Sequence, residues 1–251
     1  MKVVDATWEK RNLDCRVLEI TLDSEDSKKK MDYLKDEIQS NISSYAASYI
    51  VLKFHSSENT LLQLPALCGF SFIENQLTFH GDLKTNLKKA ESVLRQNSLF
   101  HVEKKTSPED FDFIANEIKK GLFTTDRIAL DSKFGVDIAN KRYANWLLDL
   151  KKDPSVLLSI VYMKEKPIGY ELAKYEGCDV SAIHGGLLSA YQKMPIGLME
   201  MASLIVAYEP NFKTHIVNVS SNNISVTKGW QFLGYQITAM NNVFVKHIEN
   251  L

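Results

Sequence analysis

The sequence predicts an α/β fold in which a mixed sheet carries helices on its faces, with a smaller α/β unit ahead of it. Two observations carry this prediction. Segments that alternate between apolar and polar residues interleave with segments of helical period along the whole chain. The second half then reads β-β-β-α-β-α-β, an order that layers helices over a sheet. With 251 residues, 45% of them hydrophobic, the chain can bury one large core or two modest ones. The expected division is a small unit over residues 1–100 and a larger one over 101–251.

In the first unit, "RVLEITL" alternates as a strand, and "DSEDSKKKMDYLKDEIQS" opens with capping residues and continues as a charged helix with Met31, Leu34 and Ile38 on one face. "SYIVLKF" is a buried strand, "TLLQLPALCGF" a short helix stopped near Gly69, and "SFIENQLTFHG" a second alternating strand that ends in a turn. The second unit starts after "HVEKKT". Its first helix, "SPEDFDFIANEIKKGLF", has Ser107 as N-cap, Pro108 at its first position and an acidic first turn. The helix "VDIANKRYANWLLDLKKDP" follows, striped by Ile138, Tyr143, Trp146, Leu147 and Leu150. The strands "SVLLSIVYM" and "KPIGYELAKY" are joined by a "KEK" turn. A third strand, "VSAIHGGLLSAY", carries two glycines inside it. Helix "IGLMEMASLIVAY", strand "THIVNVS", helix "NNISVTKGWQFLGY" and strand "QITAMNNVFVKHI" complete the chain.

Composition excludes several classes of function. Thirty basic residues against thirty-one acidic ones give a net charge of -1, with no excess to track nucleic acid or an anionic membrane. The start of the chain has no apolar h-region, and no run reaches the ~20 apolar residues of a spanning helix. Cys15, Cys68 and Cys178 are odd in number and widely spaced, which favours reduced thiols and a cytoplasmic protein. No Cys/His set has metal-ligand spacing, so no metal is expected.

The stretch "YQKMPIGLMEMA" places turn chemistry where a strand pattern gives way to a helix. A helix N-terminus entered by a tight turn aims backbone N–H groups at one spot and attracts anions. Glycines within the preceding strand mark a bulge or a close approach of another backbone or a ligand. This arrangement resembles the acetyl-CoA-binding core of the GNAT (Gcn5-related) N-acetyltransferases. That family's phosphate loop, Gln/Arg-x-x-Gly-x-Gly/Ala, corresponds here to Gln192, Lys193, Met194, Pro195, Ile196 and Gly197, with proline at the middle glycine. Its second signature, Asn-x-x-Ala-x-x-x-Tyr-x-x-x-Gly-Phe, corresponds to Asn223, Val226, Trp230, Gly234 and Tyr235. The tyrosine that protonates the leaving thiolate in many members is Trp230 here, and an indole N–H is no acid at neutral pH. The segments "TWEKRNLDCRVLEI" and "LPALCGFSFIENQLTF" are in turn similar to the nucleotide-amino-sugar acetyltransferases of this family, the TDP-fucosamine enzymes among them.

The resemblance implies a mostly antiparallel GNAT sheet and an N-acyltransferase that moves acetyl from acetyl-CoA to the amine of a nucleotide-linked amino sugar in polysaccharide biosynthesis. It implies pantetheine pairing at Leu187 and Leu188, pyrophosphate over residues 193–197, and further cofactor contacts from Gln192, Asn223 and Trp230. His184 is the first candidate base, Glu171 the second and Tyr191 the third. Arg127, Arg142 and Tyr143 are candidates for the acceptor, since Arg forks suit phosphate oxygens. Plainer readings stand beside these. His184 can be a satisfied core histidine, Asn223 a helix cap, Trp230 a packing residue, the arginines solvated surface charges, and Tyr143 with Trp146 part of a core. A non-catalytic GNAT shell, or a GNAT acting on a polyamine, an amino acid or a protein N-terminus, is the alternative function. Exposed strand edges allow a homodimer.

Overall fold

In a computed structural model that describes residues 1–95, 99–208 and 210–248, ten strands form one continuous sheet. In chain order the elements are β1 (Lys2–Asp5), α1 (Lys10–Leu13), β2 (Val17–Leu22), α2 (Met31–Tyr45), β3 (Tyr49–His55), α3 (Leu64–Leu67), β4 (Ser71–Asp82) and α4 (Leu83–Leu94). There follow β5 (Phe100–Lys105), α5 (Pro108–Ile118), α6 (Arg127–Leu130), α7 (Gly135–Leu150), β6 (Val156–Met163), β7 (Lys166–Glu176), β8 (Asp179–Leu187), α8 (Gly197–Ala207), β9 (Thr214–Ser220), α9 (Ile224–Phe232) and β10 (Gln236–His247). Every strand and helix expected from periodicity is present. The structure adds β1, α1, β5, α4 and α6, for which the pattern gave no element.

The strand order is β1-β2-β3-β10-β4-β9-β8-β7-β6-β5, antiparallel except at β2–β3 and β8–β9. Two strands are therefore exchanged between the halves of the chain. β4, from the first hundred residues, lies between β9 and β10, and β10, the last strand, lies between β3 and β4. β4 keeps one face apolar for each side of the exchange. Leu77 and Phe79 pack with Val217, Val219 and Tyr235, whereas Phe72 meets Phe244 edge-on.

Cores lie on both faces of the sheet. Leu34, Ile38 and Ile42 of α2, four apart, seal one cluster with β2 and β3. α5 and α7 cover β6–β8 through Phe111, Ile114, Ile118, Ala144 and Leu147. The caps follow from side-chain chemistry: Asp82, Ser107, Asp126 and Asn223 accept from the first turns of α4, α5, α6 and α9. α8 has no such cap, although it opens on the turn singled out by the sequence.

Candidate active site

The site is built where β8 and β9 part. They pair in parallel only from Asp179–Thr214 to Ala182–Val217. On the other side of β8, the register against β7 slips between Leu172–His184 and Ala173–Ala182, so Ile183 is the bulged residue. The bulge precedes the two glycines that signalled it. A Cβ on Gly185 would lie 2.5 Å from the Tyr170 carbonyl oxygen, and Gly186 has φ +143°. Only glycine suits both positions, so β8 hugs β7 here and leaves its other edge open toward β9.

Three connected cavities run through this opening. A groove of about 700 Å³ lies against the start of α8 and is lined by Gly185–Leu187, Gln192, Pro195, Gly197 and α9. A narrow chamber of about 150 Å³ shares Gly185, Gly186, Glu200, Met201, Asn223 and Val226 with the groove. Beyond it a basin of about 600 Å³ shares Ala182, Ile183, Asn218, Val219, Ser220, Asp126 and Tyr143 with the chamber. A long ligand in the groove and a second one in the basin would meet at the chamber.

Of the residues expected at the cofactor, Leu187, Gln192, Met194, Pro195, Gly197 and Asn223 line the groove. Leu188 does not offer its amide, because its N–H is donated to the Ile168 carbonyl at 2.8 Å and its side chain is in the core. The alternation of an antiparallel ladder turns the main-chain groups of Leu187 to the opposite edge. Ile196 is buried against Val161, Ile168 and Leu204, and Lys193 is exposed outside the groove lining. Gln192 donates to the Leu122 carbonyl and ties the loop to the segment after α5. Asn223 caps α9 by accepting from the Val226 N–H at 3.3 Å, so the cap reading and the lining position hold together. Trp230 is buried between His215 and Tyr235, with one side on the chamber. An acyl-CoA fits this setting on two grounds. The groove ends at a helix of eleven residues whose first turn lacks a side-chain cap, and beside it runs an open strand edge.

The expected bases are placed differently from expectation. His184 lines the chamber, but the rings of Phe123, Tyr143, Trp146 and Tyr170 surround it, and Tyr170 shares a 2.9 Å hydrogen bond with its Nδ1. Burial, reinforced by the Arg142 charge, pushes its pKa down to about 3, so it is a neutral ring that binds protons weakly. Glu171 is buried and spoken for. Tyr208 donates to it, and His215 Nε2 lies 3.3 Å from its carboxylate. Burial alone would raise its pKa, but His215 and these hydrogen bonds outweigh that and hold it below the usual value. Tyr191 is half-buried in the core beneath the loop and lines none of the three cavities.

Glu200, which the motif analysis passed over, faces both groove and chamber. It is 4% exposed, and its Oε1 has no hydrogen-bond partner. Burial first, then the Glu171 charge, push its pKa up to about 8. One signal could have found it: Glu200 is the single charge inside the apolar run "IGLMEMASLIVAY". His215 and Tyr208, which fix Glu171, carried no motif either.

In the basin, Arg127, Arg142 and Tyr143 do come together. Arg127 is ion-paired with Glu19, and Arg142 grips the buried Glu9 at 2.6 and 2.7 Å. Tyr143 donates to Asp126 and stacks on Phe123. Lys53 is pushed down to about 8 by burial and by Arg127. Among the described residues no group of three or more His, Cys, Asp or Glu side chains could hold a metal, and no helix is long and apolar enough to cross a membrane.

No protein-family model matches the sequence, and no curated protein does. Solved structures match the whole architecture. A GCN5-related N-acetyltransferase from Sphaerobacter thermophilus superposes with a TM-score of 0.62 at 11% identity, over 99% of this chain and 76% of that one. Another from Kribbella flavida gives 0.59 at 11% identity, over 94% and 83%. A conserved protein of unknown function from Staphylococcus epidermidis gives 0.61 at 14%, over 93% and 84%. The likeness establishes a GNAT fold. None of these three is described as acting on an amino sugar, so the finer resemblance gains no support from them.

Proposed function

We propose that this GNAT-fold chain is an N-acyltransferase that passes an acetyl group from acetyl-CoA to a primary amine by direct attack. One observation carries the reading: the opening between β8 and β9 joins a groove at the uncapped start of α8 to a separate basin through a narrow chamber. Acetyl-CoA, when bound, supplies the activated acyl group. The first turn of α8 and the loop over residues 192–197 would hold its pyrophosphate, and the free edge of β8 at Leu187 would pair with its pantetheine amides. The chain's main contribution is then orientation of two reactants in a confined space. Val219, Met201, Leu204 and Trp230 give the chamber an apolar wall.

The acceptor suggested by the sequence, a nucleotide-linked amino sugar, would bring a diphosphate to Arg127 and Arg142. Both guanidiniums are already ion-paired. The basin lining also has five carboxyl side chains (Glu9, Glu19, Glu74, Asp126, Asp149) against four cationic ones (Lys53, Arg127, Arg142, Lys174). This lining favours a compact amine, cationic before it binds, over a diphosphate. The test is calorimetric titration with acetyl-CoA followed by CoA release across a panel of amines and TDP- and UDP-amino sugars. Micromolar binding with turnover on small amines is expected. Binding without turnover on any amine would move the chain to the non-catalytic shell, and no binding would end the reading.

A further inference from the structure

Two buried carboxyls flank the path between groove and basin, and their surroundings push them in opposite directions. Glu171 is held as a carboxylate by Tyr208 and His215. Glu200 lines the same chamber within the field of that negative charge, buried, with one oxygen unpartnered. Such a divergent pair is the pattern that separates an acid from a spectator anion.

The fold makes room for this acid. A Cβ on Gly169 would lie 2.8 Å from Glu200 Cγ, so a glycine on β7 seats the side chain. Around it α8 buries Met201, Ala202, Leu204 and Ile205, and the one other buried polar side chain, Ser203, is satisfied within the helix by the Met199 carbonyl. A neutral carboxylic acid is tolerated there far better than a carboxylate.

Resting on the acyltransfer reading above, we propose that Glu200 is a catalytic residue, the general acid that protonates the sulfur leaving from the acyl thioester. The ammonium first gives one proton to solvent, which frees the nitrogen lone pair, and the amine nitrogen then forms its bond to the acyl carbon as the carbon–sulfur bond breaks. The Glu200 O–H proton passes to the sulfur, giving a free thiol. The surplus amine proton leaves to solvent, and Glu200 regains one proton from solvent before the next cycle. Glu200 lines both the groove and the chamber, as a group must that meets the thioester where pantetheine ends.

Other titratable groups near Glu200 do not take its place. On β7, Glu171 is committed, and the Tyr170 hydroxyl is pushed well above its ordinary range by burial, Tyr143 and Glu200 itself. His184 on β8 stays neutral down to about pH 3. On α7, Tyr143 is also raised by burial and Asp126. Asp126 caps α6 and accepts from Tyr143. Lys228 of α9 lies on the groove side only. α4, β5 and β6 place no titratable side chain in either lining.

The test uses the whole protein with acetyl-CoA, CoA alone and the best amine from the panel. Infrared difference spectra of wild type minus E200Q read the carbonyl stretch of a protonated carboxyl without any turnover. The expected band is present at pH 7, fades above about pH 8 and shifts when CoA is added. E200Q should keep wild-type CoA affinity, lose on the order of 100-fold in kcat, and lose the alkaline limb of the kcat profile. If E200Q does not fold, E200L serves for the same readings, since its site is apolar. Should CoA bind and turnover proceed while E200Q or E200L keeps wild-type kcat and pH profile, Glu200 is not the acid and the acyltransfer reading survives. A band that is absent at pH 7, or unmoved by bound CoA, overturns the proposal equally. If CoA does not bind the wild type, the acyltransfer reading falls and takes this proposal with it.

Discussion

Gly81 of β4 and Tyr235 are in direct contact: a Cβ on Gly81 would lie 2.3 Å from both Cε1 and Cζ of the tyrosine ring. The ring is buried, hydrogen-bonded through its hydroxyl to His215 Nδ1 at 2.8 Å, and wedged against Trp230. It has nowhere to go. Gly81→Ala should therefore destabilise the protein by about 1–3 kcal/mol, as overpacking does. Urea unfolding followed by tryptophan fluorescence measures it.

Arg142 and Glu9 make a buried pair across the two halves of the chain. Removing only the arginine strands a carboxylate that is 1% exposed. Arg142→Met should cost about 3–5 kcal/mol. The double change Arg142→Met with Glu9→Gln should recover most of that loss. A double-mutant cycle on the unfolding midpoint checks both values.

Asn223 caps α9 and also lines the groove. Asn223→Asp keeps an oxygen acceptor for the Val226 N–H and should leave the unfolding midpoint near wild type. Asn223→Ala should cost about 1 kcal/mol. Thermal denaturation of the two variants side by side separates cap from lining.

Glu200 makes stability depend on pH with a definite sign. Its pKa rises on folding from its ordinary 4.5 to about 8, so between those values the folded protein holds the extra proton. Stability from this group is lost as pH climbs from 4.5 to 8 and is level beyond, at about 1.4 kcal/mol for each unit of pH. E200Q removes the dependence. Relative to wild type it should gain stability steadily from pH 5 to pH 8, seen as a widening gap between their urea midpoints.

The exchanged strands predict the behaviour of fragments. A chain of residues 101–251 lacks β4, which pairs with both β9 and β10. It should not unfold cooperatively by itself, and mixing with residues 1–100 should restore a cooperative transition. Circular dichroism of the separate and mixed fragments decides it.

Much of this was legible in the sequence because period and punctuation are local. β8, α8 and α9 stood where alternation, the glycines of "HGGLL" and the residues at the turn placed them. α4 escaped because its buried face is interrupted by Asn86, whose amide serves the Leu233 carbonyl 2.9 Å away in a distant segment. β1 has four residues and only partly buried or exposed positions, too short and too mixed to show a period. Strand exchange left no trace at all, since which edge β4 joins depends on β9 and β10, more than a hundred residues later. In the site, the ligand-facing backbone was readable from its glycines. The protonation partners were not. Glu171 and Glu200 lie 29 positions apart, and only folding brings Glu200 into the field of Glu171.

The exchange also sets a condition on synthesis. The N-terminal strand β3 exposes an edge that only residues 236–247 complete. The first half of the chain must therefore wait on the ribosome, with that edge open, until residue 247 has been made. A chain cut short before residue 236 would undo its own beginning as surely as the strand it lost.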